Sequence, residues 1–502
     1  MNVSDVFLPD WLGRCAENFP DRLAIKYKDQ SWPFAELDQR ASCTARQLAM
    51  LGVREGKRVA SLAANSADYV VLVHALTRLG AILMPLNIRL TYDELCWQLR
   101  DVRADFLIND ARYASVAAEI GASIPSLVRA TFAHEALAGE AILPALPEAH
   151  HPLRPLIDLD ATQVIMYTSG TTGAPKGVTI TFGMQWWNAV GSALNLGHAP
   201  DDRWLACMPL FHIGGLSILM RSVIYGIGVI VHEKFDAAAV NRAIRENRVT
   251  IISVVAVMLQ RMLESSGQAQ YPEALRCVLL GGGPAPRPLL EDCARCHLPV
   301  AQTYGLTESC SQAVTLPPAD ALRKLGSAGK PLLPVQLRIM REDGEPAGAN
   351  EPGVIYLKGP TITPGYDGRP DATAQALREG WFSTGDLGYL DDEGYLYVLD
   401  RRTDLIISGG ENVYPAEIEA ALLAHPDVEE AGVCGIDDTQ WGQVPVAFVS
   451  KRPGSTLSEQ ALSAHVASRL ARYKLPKTIH FVDTLPRNGA GKLLRRELRK
   501  LL

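Results

Sequence analysis

Apolar and polar positions along this chain follow two periods, and each switch between them marks an element. From Phe34 to Leu51 apolar residues recur every three or four positions, which predicts an amphipathic helix ending at Gly52. Val59-Ala60-Ser61-Leu62 predicts a strand, Ala67 to Leu79 a helix closed by Gly80, and Ala81 to Pro85 the next strand. This alternation continues to about residue 400 and predicts sheets covered by helices. Between Val335 and Leu399 the pattern is short, glycine-rich and strand-like, predicting a small β-barrel-like subdomain. Beyond it, Pro415 to Leu423 predicts a helix with Pro415 near its first position and Ile418, Leu422 and Leu423 on one face. Val428 to Cys434 and Val444 to Ser450 predict strands, and Leu457 to Leu470 a helix. The Ala-, Pro- and His-rich stretch from Ala130 to Pro155 reads as an irregular connection. The expected class is α/β and α+β, multidomain. A large N-terminal domain covers 1–400, with its β-rich part at 334–399, and a small α+β unit covers 404–502.

Composition narrows the function classes. A chain of 502 residues is too long for one core. Its 47% apolar and 21% charged residues suit a folded globular enzyme, and a net charge of −6 argues against nucleic acid as the main partner. No apolar run is long enough to insert in a membrane; the nearest, Tyr69 to Leu86, contains His74 and Arg78. The first residues lack the basic and apolar regions of an export signal, so a cytoplasmic setting is expected, in which nine scattered cysteines stay reduced. Cys293-Ala294-Arg295-Cys296-His297 matches the haem-attachment pattern, but it falls in a predicted helix from Pro288 to Cys296 and is read as coincidence. Asn2-Val3-Ser4 is an accidental glycosylation sequon on the same reasoning.

The chemistry starts at Tyr167-Thr168-Ser169-Gly170-Thr171-Thr172-Gly173-Ala174-Pro175-Lys176-Gly177, which follows the strand-like Val164-Ile165-Met166. Gly170 and Gly173 let the backbone close around an anion, Thr168, Ser169, Thr171 and Thr172 supply donors, and Lys176 supplies a positive charge. A polyphosphate fits, and ATP fits best. The spacing of Lys176 and Gly177 differs from the G-x-x-x-x-G-K-[ST] loop.

Other segments follow in a fixed order: Tyr304-Gly305-Leu306-Thr307-Glu308, Gly380-Trp381-Phe382-Ser383-Thr384-Gly385-Asp386, Arg401-Arg402-Thr403-Asp404, Ser408-Gly409-Gly410-Glu411-Asn412, and Pro486-Arg487-Asn488-Gly489-Ala490-Gly491-Lys492. Together with the Thr168 loop they resemble the adenylate-forming superfamily of acyl-CoA synthetases, luciferases and peptide-synthetase adenylation domains. The resemblance implies that ATP and Mg²⁺ activate a carboxylate as an acyl-adenylate, and that a thiol, coenzyme A, then takes the acyl group. It assigns Glu308 to Mg²⁺, Asp386 and Arg401 to the ribose, Gly282, Gly283, Pro284 and Tyr304 to adenine, and Gly305 and Thr307 to the nucleotide. Thr168, His212, Glu308, Arg401 and Lys492 are the implied catalytic set. Lys492 would reach the substrate carboxylate and α-phosphate; an ammonium about 4 Å from a phosphate oxygen gains roughly 4 kcal/mol at an effective dielectric near 20. His212, in Pro209-Leu210-Phe211-His212-Ile213-Gly214-Gly215, reads alone as a hydrogen-bonded core histidine; the resemblance moves it to the acyl pocket, to gate or position the carboxylate. For the second half-reaction the C-terminal domain swings about a hinge at 401–403, with Thr403 as pivot, and brings Gly409, Gly410 and Trp441 to the CoA tunnel. Thr403, where the family more often carries Asp or Lys, and Gln443, where many relatives carry Glu, depart from the pattern.

Further runs bear on the acid: Ser192 to Gly197, Asp202 to Leu205, Ser222 to Gly226, Leu279 to Pro286, Glu308 to Gln312 and Leu325 to Pro331. They resemble the branch of the family that activates o-succinylbenzoate for menaquinone biosynthesis. Such a substrate asks for apolar walls with a few polar anchors, for which Ser217, Arg221, Thr307, Ser311 and Gln312 are candidates. Ser311 and Gln312 read equally well as caps on local backbone, and Arg221 as half of a salt bridge. Other aryl- or medium-chain acyl-CoA ligases, a carrier-loading adenylation enzyme and a non-catalytic nucleotide binder are the alternatives. The partners expected are small molecules, with homo-oligomerisation left open.

Overall fold

In the computed structural model of the chain, the described residues are 6–502 except 134, 169–174, 268, 283, 284, 286, 342, 401–404, 487–492 and 494. Short apolar strands assemble into two large sheets, one mostly parallel and one with a parallel centre and antiparallel flanks. The seven-stranded sheet runs in the order Lys176–Thr181, Thr162–Thr168, Ile82–Pro85, Arg58–Leu62, Phe106–Asn109, Val128–Thr131, Glu140–Ile142, and only Lys176–Thr181 is antiparallel to its neighbour. The larger, 14-stranded sheet has a parallel centre made of Val300–Tyr304, Cys277–Gly281, Ile251–Val255, Arg203–Ala206, Gly228–Val231 and Leu23–Tyr27. In parallel sheets ligands bind beyond the carboxyl ends of the strands. Here those ends carry Thr168, Ala206, Val255, Gly281 and Tyr304, which places the site before any side chain is considered.

Local signals explain the elements. Ala67–Leu79 starts where Ser66 Oγ accepts the Tyr69 N–H and ends at Gly80, whose φ of +65° only glycine adopts freely. Its buried Tyr69, Leu72, Ala75, Leu76 and Leu79 join the main core. Phe34–Met50 is the expected amphipathic helix. The Ala130 to Pro155 stretch is not wholly irregular: Glu140–Ile142 adds the seventh strand beside Val128–Thr131.

The β-rich part is not a closed barrel. Gln336–Met340, Gly353–Lys358, Trp381–Leu390 and Leu396–Asp400 pair antiparallel in turn, and Leu396–Asp400 then pairs with Ser327–Pro331, so this part extends the large sheet. It also contains a helix, Pro370–Ala376, with proline at its start.

The last hundred residues have a sheet and core of their own. Gly442–Lys451 pairs with Val428–Asp438, Ile406–Ser408 and Ile479–Phe481, and helices Pro415–Leu423 and Glu459–Ala467 pack beside them. Ile418 and Leu422 are fully buried, but Leu423 is 48% exposed, so it lies off the buried face expected for it. Gln443 Oε1 accepts the Ile407 N–H at 3.2 Å, which gives this departure a role inside the unit.

Candidate active site

A cavity opens at the carboxyl ends of the large sheet. Thr168, His212, Gly281, Gly282, Gly305, Thr307, Glu308, Ser311 and Asp386 line it, along with Gly410, Asn412 and Tyr414 from the C-terminal unit. A second cavity shares Thr168, His212, Thr307 and Asn412 with it and adds Asn87, Glu411, Tyr473 and Lys474. Of the eight described residues of the ATP reading, six (Thr168, Gly282, Gly305, Thr307, Glu308 and Asp386) therefore converge, while Lys176 and Tyr304 do not line the cavity. Ser169, Gly170, Thr171, Thr172, Gly173, Gly283, Pro284, Arg401, Thr403 and Lys492 lie outside the described residues.

Gly305 is required by packing: a Cβ there would stand 1.5 Å from the Ser311 carbonyl oxygen. That close approach lets the chain fold back after Val300–Tyr304 and set Thr307, Glu308 and Ser311 on one wall. Glu308 is 6% exposed and accepts from the Tyr366 hydroxyl at 3.0 Å. Among the described residues there is no cluster of three metal-ligating side chains. One cavity-facing carboxylate suits Mg²⁺, which binds through one or two carboxylates with substrate phosphates and water completing its shell.

Two of the expected nucleotide residues are not on the cavity wall. Tyr304 does not line the cavity; it is 3% exposed, and its hydroxyl donates to Asp386 Oδ2 at 2.6 Å, so it fixes that carboxylate. Lys176 lines neither cavity; its ammonium lies 5.3 Å from the centre of the Tyr366 ring. Both follow from strand alternation, which turns every second side chain away from a given face.

Of the acid-side residues, His212, Thr307 and Ser311 line the cavity, while Ser217, Arg221 and Gln312 sit behind it. Arg221 is 1% exposed on helix Ile213–Tyr225. Its Nη2 donates to Asn188 Oδ1 at 2.6 Å, the Trp204 ring covers it at 5.2 Å, and its Nε and Nη1 have no acceptor. The salt-bridge reading therefore fails: no acid pairs with Arg221 among the described residues, and burial pushes its guanidinium pKa down. The Gln312 side chain caps nothing, because both its polar atoms are buried without partners, as is Ser217 Oγ. Asn188 was not legible from sequence, since an asparagine on an apolar helix has no pattern of its own.

The C-terminal unit closes the site. Glu411, 2% exposed, accepts from His212 Nε2 at 3.0 Å, from Asn87 Nδ2 at 3.2 Å, and from Arg89. Burial alone would raise its pKa, but the His212 ring and the Arg89 guanidinium outweigh that and hold it below the usual carboxylate range. Lys474 Nζ bridges Glu94 of the N-terminal unit at 2.6 Å and Glu417 at 2.7 Å. Beside this contact a cleft is lined by Arg89, Lys234, Arg261, Gly409 and Trp441, and it meets the main cavity at Val255. Gly409 (φ +58°) packs so tightly that a Cβ would lie 2.8 Å from the Trp441 ring. Cations at a cleft that ends at the reaction cavity suit a thiol carrying phosphates. Arg89, Lys234, Arg261, Glu94 and Lys474 belong to no sequence motif, and only their convergence in space reveals them. Cys293 and Cys296 of the haem-like pattern are both buried, and burial pushes the Cys293 thiol up to about 12.

The model of the AMP-binding enzyme family matches residues 12–367, and that of the AMP-binding enzyme C-terminal domain matches residues 417–492. The 2-succinylbenzoate–CoA ligase of Geobacillus kaustophilus (strain HTA426) is 53% identical over 495 residues, which cover 99% of this chain and 98% of that protein. A double mutant of the o-succinylbenzoate CoA synthetase of Bacillus subtilis, bound with its product analogue OSB-NCoA, superimposes with a TM-score of 0.91 at 45% identity, covering 98% of both chains. The same synthetase in complex with ATP and magnesium ion gives 0.75 at 44% identity, covering 98% of this chain and 100% of that one. Sequence identity is almost equal in the two comparisons, and the chain superimposes better on the product-analogue complex. Both family models, matched in order across the cavity and the unit that closes it, establish that the chain belongs to the AMP-binding enzyme family.

Proposed function

We propose that this chain activates o-succinylbenzoate with ATP, releasing pyrophosphate, and then transfers the acyl group to coenzyme A, releasing AMP. The observation that carries this reading is the 53% identity, over essentially the whole chain, to a 2-succinylbenzoate–CoA ligase. The buried Arg221 supports it, since a cation whose Nε and Nη1 have no acceptor among the described residues is suited to a second carboxylate.

In the first half-reaction the substrate carboxylate attacks the α-phosphorus of ATP and the bond to pyrophosphate breaks. A carboxylate needs no base at neutral pH, so the residues act by position and charge. The loop from Thr168 to Lys176 holds the leaving phosphates, Asp386 with Arg401 holds the ribose, Gly282 with Gly283 and Pro284 frames adenine, and Lys492 meets the α-phosphate. Glu308 holds Mg²⁺, which when bound neutralises phosphate charge. His212, Thr307 and Ser311 orient the acid. In the second half-reaction the thiol sulfur attacks the acyl carbon and AMP leaves. Residues 404–502 rotate about 401–403 between the steps, bringing Gly409, Gly410 and Trp441 to the thiol route. The setting proposed is cytoplasmic, in keeping with cysteines that form no disulfide among the described residues; among the described residues no helix is long and apolar enough to cross a membrane.

Pyrophosphate release measured over a panel of acids, followed by thiol consumption with CoA, tests the reading. Release with o-succinylbenzoate well above that with benzoate and medium-chain acids is expected. Equal release with a monocarboxylate would overturn the substrate, and release without CoA consumption would overturn the second step.

A further inference from the structure

Tyr366 lies in the loop between Gly353–Lys358 and Pro370–Ala376 and is 8% exposed. Its hydroxyl donates to Glu308 Oε1 at 3.0 Å, and the Lys176 ammonium stands 5.3 Å from its ring centre. The loop is sewn to both neighbours through the backbone. The Asp367 N–H donates to Gly177 O at 2.8 Å and the Thr179 N–H to Gly365 O at 3.1 Å. The Thr363 N–H donates to Glu308 O at 2.8 Å, and Thr363 Oγ1 to Thr179 O at 2.7 Å. One aromatic side chain thus touches the carboxylate on one wall of the cavity and the cation at the start of the strand behind the phosphate loop.

We infer that Tyr366 is a positioning residue for adenylation, coupling Glu308 to Lys176. This rests on the proposed roles of Glu308 as metal ligand and Lys176 as phosphate ligand. A phenol is suited to the task. It fixes one carboxylate oxygen by a hydrogen bond while leaving the full negative charge and the second oxygen for a cation, whereas an arginine in its place would neutralise the charge. Its ring face attracts an ammonium within about 6 Å of the ring centre.

The test uses the full-length chain, with Mn²⁺ titrated by electron paramagnetic resonance in the presence of α,β-methylene-ATP. Tyr366→Phe keeps the ring and removes the donor. Mn²⁺ affinity is expected to fall about tenfold, the lower end of the loss seen for groups that orient metal ligands, while metal-free AMP affinity is unchanged. Adenylation should slow in step, and acyl transfer from supplied acyl-adenylate should hold. Tyr366→Leu removes the ring too, and excess metal should restore nucleotide affinity in the Phe variant but not in the Leu variant. Wild-type Mn²⁺ affinity in Tyr366→Phe, beside a clear loss in Glu308→Gln, would overturn the coupling. Wild-type affinity in Glu308→Gln would instead overturn the metal-ligand reading on which it rests.

Discussion

Arg221 is where charge and surroundings conflict most. A guanidinium with two orphaned N–H groups in a core costs stability, at roughly 1–3 kcal/mol for each unmet buried group. Arg221→Met should therefore raise the free energy of unfolding by about 1 kcal/mol in denaturant titration, the small figure reflecting the newly orphaned Asn188 Oδ1. The same change should lower kcat/KM for o-succinylbenzoate by one to two powers of ten, the loss of one charge-assisted hydrogen bond. An analogue without the ring carboxylate should be used equally by both proteins. A fall for both substrates, or a loss of stability, would show that Arg221 holds the fold and reads no carboxylate. The sequence already signalled this residue, because a cation in an apolar run is out of place. Which partner it lacks is a matter of three dimensions: Asn188, Gln312 and Trp204 come from distant segments, and no spacing along the chain brings them together.

At the scale of elements, legibility followed how local the cause is. Ala67–Leu79 and Pro415–Leu423 matched their expected bounds because capping residues and proline act within one turn. Closure of the β-rich part was misread because it depends on which edge Leu396–Asp400 pairs with, a non-local choice. The segment carrying Glu411 shows the same limit: its glycines were recognisable, but its seat between His212, Asn87 and Arg89 was not. Glu411→Gln should weaken that seat and slow acyl transfer by about tenfold, with adenylation spared, in single-turnover assays of each half-reaction. The seat also has a pH sign. Docking lowers the carboxyl pKa, so its contribution is complete above the usual glutamate range and vanishes as pH falls through the lowered value. Dye pairs across the two units should report separation on acidification, and the Gln variant should show no such transition from this group.

The whole molecule runs two chemistries with one cavity, and the two halves of the chain must be separable by mutation. Lys492→Ala should abolish adenylation yet leave acyl transfer from supplied acyl-adenylate intact. Thr403→Pro, which fixes φ near −65° at the proposed pivot, should do the reverse. Rapid-quench measurement of each step decides both. Equal damage to the two steps in either variant would mean that the C-terminal unit does not alternate. The sequence alone suggested a two-unit plan, since family-like motifs lie on both sides of residues 401–403. The arrangement captured here was not readable, because two arrangements of one sequence differ only in which interface is made.

The Glu411 seat has a consequence for the order of events. Its carboxylate borders a cavity that also contains Thr168, the first residue of the phosphate loop, so a nucleotide's leaving phosphates and Glu411 are like charges competing for one small, poorly solvated space. If the C-terminal unit alternates as proposed, pyrophosphate still in place would repel it, and the departure of pyrophosphate would leave His212 and Arg89 to receive the carboxylate. On that proposal no separate sensor of product release is needed, because a departing anion is replaced by a tethered one.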